Sequence, residues 1–254
     1  MENELLLLSG NDIPFIGGQL VIHQPTIKEI AYIGEEAFYS GCELLRFSKD
    51  NLSKEDRINL ENQTNFDIIM SIVNDKSNIA MQQYKIFLTM LLSLIFPTYS
   101  IRIGNKDIQL TDNENKEEIK SINSKNFDEF LDILNSMFCF KPASGDGAEF
   151  NPEGDLAKKI ADKLRRGRQK KEEQLPQSQK KIAILSRYVS ILATGQQKNF
   201  NDLFQYTVYQ LLDEFQRYQA KINFDIYIEA KMAGAKDLQE VDDWMKDFHS
   251  DSNK

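Results

Sequence analysis

Apolar and polar residues alternate in two short stretches near the amino terminus, Ile13 to Phe15 and Gln19 to His23. The Gly17-Gly18 pair between them supplies the positive φ angles of a two-residue hairpin turn, so a small hairpin is predicted there. Pro25 stops the second strand. Thr26 and Glu29 then form a Thr-x-x-Glu capping box, and apolar residues at helical spacing predict one helix over about Ile27 to Arg46, weakened in its middle by Gly34 and Gly41. A short helix capped by Thr64 or Asn65 should run through Val73, and a longer one from Asn78 becomes steadily more apolar toward Phe96. Tyr99 to Ile103 and Ile108 to Leu110 around Gly104-Asn105 predict a second hairpin. The polar, acidic stretch Thr111 to Lys120 predicts a loop, and a helix from Asn126 to about Phe140 closes this half of the chain.

Lys141 to Gly154 collects Pro142, Gly145, Gly147, Pro152 and Gly154, which suits a connector and no regular element. Asp155 to Glu173 is a charged helix with few apolar positions. Ile182 to Leu192, Phe200 to Tyr218 and Phe224 to Ala233 then each carry apolar residues three and four apart, the pattern of a compact three-helix unit. The expected fold is mainly α with a minor β component (α+β). Residues 1–140 form an α+β amino-terminal domain with two short hairpins, 141–181 a connector with its basic helix, and 182–254 a carboxy-terminal helical unit with a polar tail.

Composition narrows the class. With 41% hydrophobic and 10% aromatic residues the chain folds, and a net charge of −8 argues against a surface that binds nucleic acid or anionic lipid throughout. Glu2 and Glu4 stand where a signal peptide carries basic residues, and the apolar run Ile86 to Phe96 is too short to span a bilayer, so a cytoplasmic protein without membrane contact is expected. Cys42 and Cys139 belong to no metal-ligand spacing and are expected to be free thiols of the core.

Little in the chain resembles a catalytic site. His23 is followed by Gln24 and Pro25 rather than by a second ligand, and His249 lies in the polar tail. Phosphate-binding glycine loops, the dinucleotide fingerprint and the serine elbow are absent. Asp112, Glu114, Glu117 and Glu118 are the densest carboxylates; an exposed acidic loop accounts for them, and a metal-dependent enzyme is the least favoured alternative. No cofactor is expected. The sharpest anomaly is basic: Lys158, Lys159, Lys163, Arg165, Arg166, Arg168, Lys170 and Lys171 face only Asp162, a charge of +7 that leaves −15 on the rest of the chain. Such a helix can meet an acidic protein surface, or it can contact nucleic acid in a salt-dependent way, although no base-reading motif accompanies it.

Three passages resemble a group of proteins from tailed phages of Gram-positive bacteria, the tail assembly chaperones. These are Val21-Ile22-His23-Gln24-Pro25-Thr26-Ile27-Lys28-Glu29-Ile30 with Gly34-Glu35 and Phe38-Tyr39; the helix Phe204 to Arg217; and Met232-Ala233-Gly234-Ala235-Lys236 with Trp244-Met245. The resemblance covers roughly half of the chain, at its two ends. It implies a non-catalytic protein of the bacterial host cytoplasm that keeps the tape measure protein soluble and recruits tail tube subunits; self-association is left open. The alternative is a phage structural or packaging-associated protein that contacts DNA through its basic helix.

Phe200, Phe204, Tyr206, Tyr209, Phe215, Tyr218, Phe224, Tyr227 and Trp244 exceed what a three-helix unit of this size has to bury. Candidate protein-binding residues are therefore Phe204, Tyr209, Phe215, Arg217, Tyr227 and Trp244. The lone tryptophan either staples the tail to the body or anchors a partner.

Overall fold

The computed structural model describes residues 4–49, 62–75, 79–116, 118–140, 184–235, 241 and 244–245. The described elements, in order, are α1 (Glu4–Ser9), β1 (Ile13–Phe15), β2 (Leu20–Ile22), α2 (Ile27–Ile33), α3 (Glu35–Leu45), α4 (Asn65–Asn74), α5 (Ile79–Ile95), β3 (Tyr99–Ile103), β4 (Ile108–Asp112), β5 (Ile119–Ile122), α6 (Phe127–Met137), α7 (Ile184–Gln196), α8 (Phe200–Leu203) and α9 (Val208–Met232). The architecture is α+β, with helices dominant and two small antiparallel sheets, β1-β2 and β3-β4-β5. No described helix is long and apolar enough to cross a membrane.

The packing centres on α3 against α5. Gly41 makes their approach possible: a Cβ there would stand 3.0 Å from both the Leu91 Cβ and the Phe87 carbonyl oxygen, so a methyl group would push the helices apart. Phe38, Leu45, Leu88, Leu91, Leu92 and Ile95 are buried on this pair. Phe130 of α6 joins the remaining layers, with its ring centroid 5.7 Å from Phe15 in the first hairpin and 6.0 Å from Phe96 after α5.

Several elements differ from those predicted. The first hairpin pairs Phe15 with Leu20, leaving the four residues Ile16 to Gln19 in the turn rather than two. Ile16, Gly17 and Gly18 all have positive φ there. The single helix predicted over Ile27 to Arg46 is two helices, because Gly34, at φ 86°, ends α2 and begins α3. The acidic loop is interrupted by β5, whose Ile119 and Ile122 pair with Thr111 and Ile108 of β4. Ile122 is buried while Ile119 is 61% exposed, so β5 lacks the regular apolar alternation that marks a strand in sequence, and its pairing with β4 defines it. The three predicted carboxy-terminal helices are α7, the single turn α8 and one continuous α9, which runs through Tyr218 to Phe224 without interruption.

The connector Lys141 to Gly154 and the basic helix Lys158 to Lys171 lie outside the described residues. On either side of them the chain shares one hydrophobic core. Leu185, Val189, Leu192, Leu203, Val208 and Leu211 are buried in the same cluster as Phe15, Phe38, Leu91 and Phe130. Glu35 adds a polar tie: at the amino end of α3, it accepts hydrogen bonds from the backbone N–H groups of Leu185 (3.2 Å) and Ser186 (2.9 Å) at the start of α7, where a carboxylate is favoured by two helix dipoles. A protease that nicks the chain between 141 and 183 should therefore yield two fragments that coelute in size-exclusion chromatography and separate only in denaturant. Spontaneous separation in native buffer would contradict a shared core.

Candidate functional site

Two of the three passages that carry the phage resemblance meet in space. Thr26 and Thr207 are the N-caps of α2 and α9, each in a reciprocal capping box, with Glu29 and Gln210 respectively. The two threonines form an antiparallel bridge. Ile27 N–H donates to the Tyr206 carbonyl (2.8 Å) and Lys28 N–H to the Phe204 carbonyl (2.9 Å). Two N–H groups that a helix start leaves without an intrahelical partner are thus satisfied by the chain entering the other helix.

Glutamine amides extend this junction to α1. Gln24, 2% exposed, donates to the Leu6 carbonyl (2.9 Å) and the Asn11 carbonyl (2.6 Å), and Gln210 donates to the Leu8 carbonyl (2.7 Å). The carbonyls at the end of a six-residue helix receive the hydrogen bonds the helix itself cannot make. Neither glutamine stood out as a site residue in the sequence. Gln24 is flanked by the visible signals of His23 and Pro25, and the Thr-x-x-Gln of residues 207–210 is legible as a cap but not as a clamp on a helix about two hundred residues earlier.

His23 also belongs to this junction. Its Nδ1 lies 2.9 Å from Asp12 Oδ1 and its Nε2 3.4 Å from Glu29 Oε2, so its ring links the first hairpin to the cap of α2. Burial pushes the Glu29 carboxyl up, but hydrogen bonds from the Thr26 backbone and hydroxyl, with His23, outweigh burial and hold it below its ordinary value. A depressed carboxylate contributes stability that is present above its unfolded pKa, roughly 4.3, and is lost as the pH falls through the lower folded value. Thr26→Ala should therefore cost about 1 kcal/mol at pH 7, with the gap to the parent protein narrowing as the pH drops toward 3. Thermal melts at both values check this; a gap that widens in acid would contradict the linkage.

Among the described residues the acidic cluster is not brought together as a metal site. Asp112 ends β4 and accepts from the N–H groups of Glu114 (2.8 Å) and Asn115 (3.2 Å), bonds that hold its carboxyl low. Glu118 pairs with Lys120, and Glu117 lies outside the described residues. Among the described residues no group of three or more His, Cys, Asp and Glu stands close enough to hold a metal ion. Both cysteines are free, and burial pushes their thiols up, Cys139 to about 12.

The other feature of the junction is a cleft of about 830 Å3 bounded by Leu8, the end of α7 and one face of α9. Gln210, Asp213, Arg217, Lys221 and Asp225, three or four residues apart on α9, bring their polar groups to it. Ion pairs span this face: Arg217 Nε to Asp213 Oδ2 at 3.0 Å, Lys221 to Asp225 at 2.6 Å, and Lys198 to Glu214. Opposite charges offset one another there, and the cleft is not a strong anion or cation trap. Tyr218 forms part of its lining, and a Cβ at Gly195 would overlap the Tyr218 ring and hydroxyl.

Residues 174–249 match the family described as YomV second domain, which is phage-associated. The match takes in α7, α8, α9 and Trp244, and begins within the expected connector. Neither the curated proteins nor the solved structures give a match to this chain.

Within this segment the predicted binding residues fall into four groups. Tyr209 is 3% exposed and belongs to the core. Phe204 and Phe215 are partly buried against that core, Phe215 with its ring centroid 4.2 Å from Tyr188. Arg217 and Trp244 line the cleft, and Tyr227 lies farther along α9, with Lys231 Nζ 5.6 Å from its ring centroid. The aliphatic residues of the same helix lacked an aromatic marker in the sequence. Ile222 is 38% exposed, Ile226 59% and Met232 84%. No residue of α9 after Asp213 is buried, so the helix continues for roughly 25–30 Å, at about 1.5 Å per residue, without becoming core.

Proposed function

We propose that this chain is a non-catalytic, protein-binding phage assembly factor, a tail assembly chaperone that holds the tape measure protein in soluble form in the host cytoplasm and recruits tail tube subunits around it. The observation that carries the proposal is the carboxy-terminal half of α9, where Ile222, Ile226 and Met232 remain exposed in a segment similar to a phage-associated domain. Ile222 and Ile226, four residues apart, share one face of α9, and Met232 adds an exposed apolar side chain on another side near its end; an uncovered apolar helix face of this kind is a receptor for amphipathic helices. A long tape measure chain presents many of these before the tail tube encloses it.

The non-catalytic part of the proposal draws on the geometry of the candidate groups. His23 is engaged by two carboxylates and Asp112 by backbone N–H groups. The basic residues Lys158 to Lys171 are assigned the supporting role of tuning encounter with acidic protein surfaces.

Coexpression tests the proposal directly. The tape measure protein from the same phage genome should accumulate in the soluble fraction and copurify with this chain, whereas alone it should aggregate. A tape measure protein whose solubility is the same with and without this chain overturns the assignment.

A further inference from the structure

The cleft of about 830 Å3 leaves open space beside Arg217, Tyr218, Lys221, Ile222 and Asp225 of α9. Residues four apart on a helix stand nearly above one another, so two ridges run side by side along this face. One is apolar: Tyr218, Ile222, Ile226 and Ala230. Within it Ile222 is 38% and Ile226 59% exposed. The other is charged at every position, with Arg217, Lys221, Asp225 and Glu229, and its Lys221 and Asp225 side chains are about half exposed.

The order of charges along the second ridge carries the information. Two bases are followed by two acids, and the pairs Arg217 with Glu229 and Lys221 with Asp225 are both centred on residue 223. Such a ridge is complementary to its own reverse. When a second α9 crosses antiparallel at that level, Lys221 of each copy stands opposite Asp225 of the other, and Arg217 opposite Glu229. In a parallel pair Lys221 would face Lys221 and Asp225 would face Asp225, and that juxtaposition of like charges selects against it. The apolar ridge has nearly the same centre, since Ile222 of one copy meets Ile226 of the other. Interdigitation of such four-spaced ridges, at a crossing angle near −50°, is the commonest way for two helices to pack. The Lys221–Asp225 ion pair within each chain, 2.6 Å long, survives in this arrangement, because two bases and two acids then alternate around the two-fold axis.

We infer that this face of α9 docks a second copy of the chain, as an antiparallel two-fold dimer centred near Asn223. The inference goes beyond the chaperone assignment and does not depend on it; a second copy and a tape measure helix would compete for Ile222 and Ile226. One helix crossing buries less than the roughly 1,200–2,000 Å2 of a stable interface, so the dimer belongs to the weak, reversible class.

Sedimentation velocity tests the dimer. The full-length chain should show a monomer–dimer equilibrium between about 1 and 500 μM, the range of weak complexes. Lys221→Asp and Asp225→Lys should each weaken it about tenfold or more, because each substitution enters a two-fold interface twice and sets like charges opposite each other. Circular dichroism should be unchanged in both. An equimolar mixture of the two variants should associate again, since each supplies the charges the other lacks, a recovery that two misfolded chains would not give. The double exchange Lys221→Asp with Asp225→Lys in one chain keeps the internal ion pair and the complementarity, and it should dimerise as the parent does even if a single variant folds poorly. A parent chain that stays monomeric up to about 500 μM overturns the inference. So does a dimer unaffected by either single variant, or a mixture and a double exchange that both fail to recover association. None of these measurements involves the tape measure protein, so failure of the dimer and failure of the chaperone assignment are separable.

Discussion

Replacing Phe130 by alanine should lower the free energy of unfolding by about 3–5 kcal/mol, the cost of emptying a large aromatic site in a core that only partly collapses around it. Phe130 is fully buried. Its ring lies within 6.5 Å, centroid to centroid, of Phe15, Phe96 and Phe127, so the first hairpin, the end of α5 and the start of α6 all lose packing together. Set against a total stability of about 5–15 kcal/mol for a folded domain, this loss removes a large share of the margin, and the unfolding midpoint should fall accordingly. Denaturant titration followed by circular dichroism measures the loss. A change under about 1 kcal/mol would mean that these layers are not joined through Phe130.

The second large effect should be on association and leave the fold intact. Ile226→Asp combined with Met232→Asp places two charges on the exposed half of α9, at positions 59% and 84% exposed in the free chain and outside the Trp244 cleft. Exposed positions contribute little to folding, so the melting temperature should move by no more than about 1–2 °C. If this end of α9 receives the tape measure protein, each charge within the interface must be desolvated, and a hot-spot loss of about 2 kcal/mol or more reduces affinity at least roughly thirtyfold. Copurification from a coexpressing strain should then fail although the variant itself is soluble. Retention of the tape measure protein by this double variant would place its binding surface elsewhere on the chain.

Much of the local structure follows from the amino-acid sequence because its causes are local. The capping box at Thr26 and the cap at Thr64 begin helices where the sequence places them, since a threonine oxygen needs only the N–H groups two or three residues ahead. The strands Ile13 to Phe15 and Tyr99 to Ile103 are legible from short apolar runs bounded by turn residues. The predominance of helix and the presence of two small sheets follow from the same patterns.

What only the tertiary structure decides involves partners far apart in the chain. Strand β5 exists because β4 offers a free edge, not because Ile119-Lys120-Ser121-Ile122 alternates cleanly. Gly41, a weak point by helix propensity, serves as the contact that lets α3 approach Leu91, and no single-helix pattern distinguishes those two uses. The aromatic excess of the carboxy-terminal part marks a surface-forming region, yet which residues stay exposed depends on where α7 and α1 lie against α9. Tyr209 goes to the core, while Ile222, Ile226 and Met232 stay at the surface. The meeting of Thr26 with Thr207, and of Glu35 with the start of α7, joins residues more than one hundred positions apart. The sequence by itself determined the helix caps and the apolar faces, each set by neighbours within a few residues. The junction and cleft arose only when hydrophobic burial brought those faces together, because their geometry depends on long-range packing.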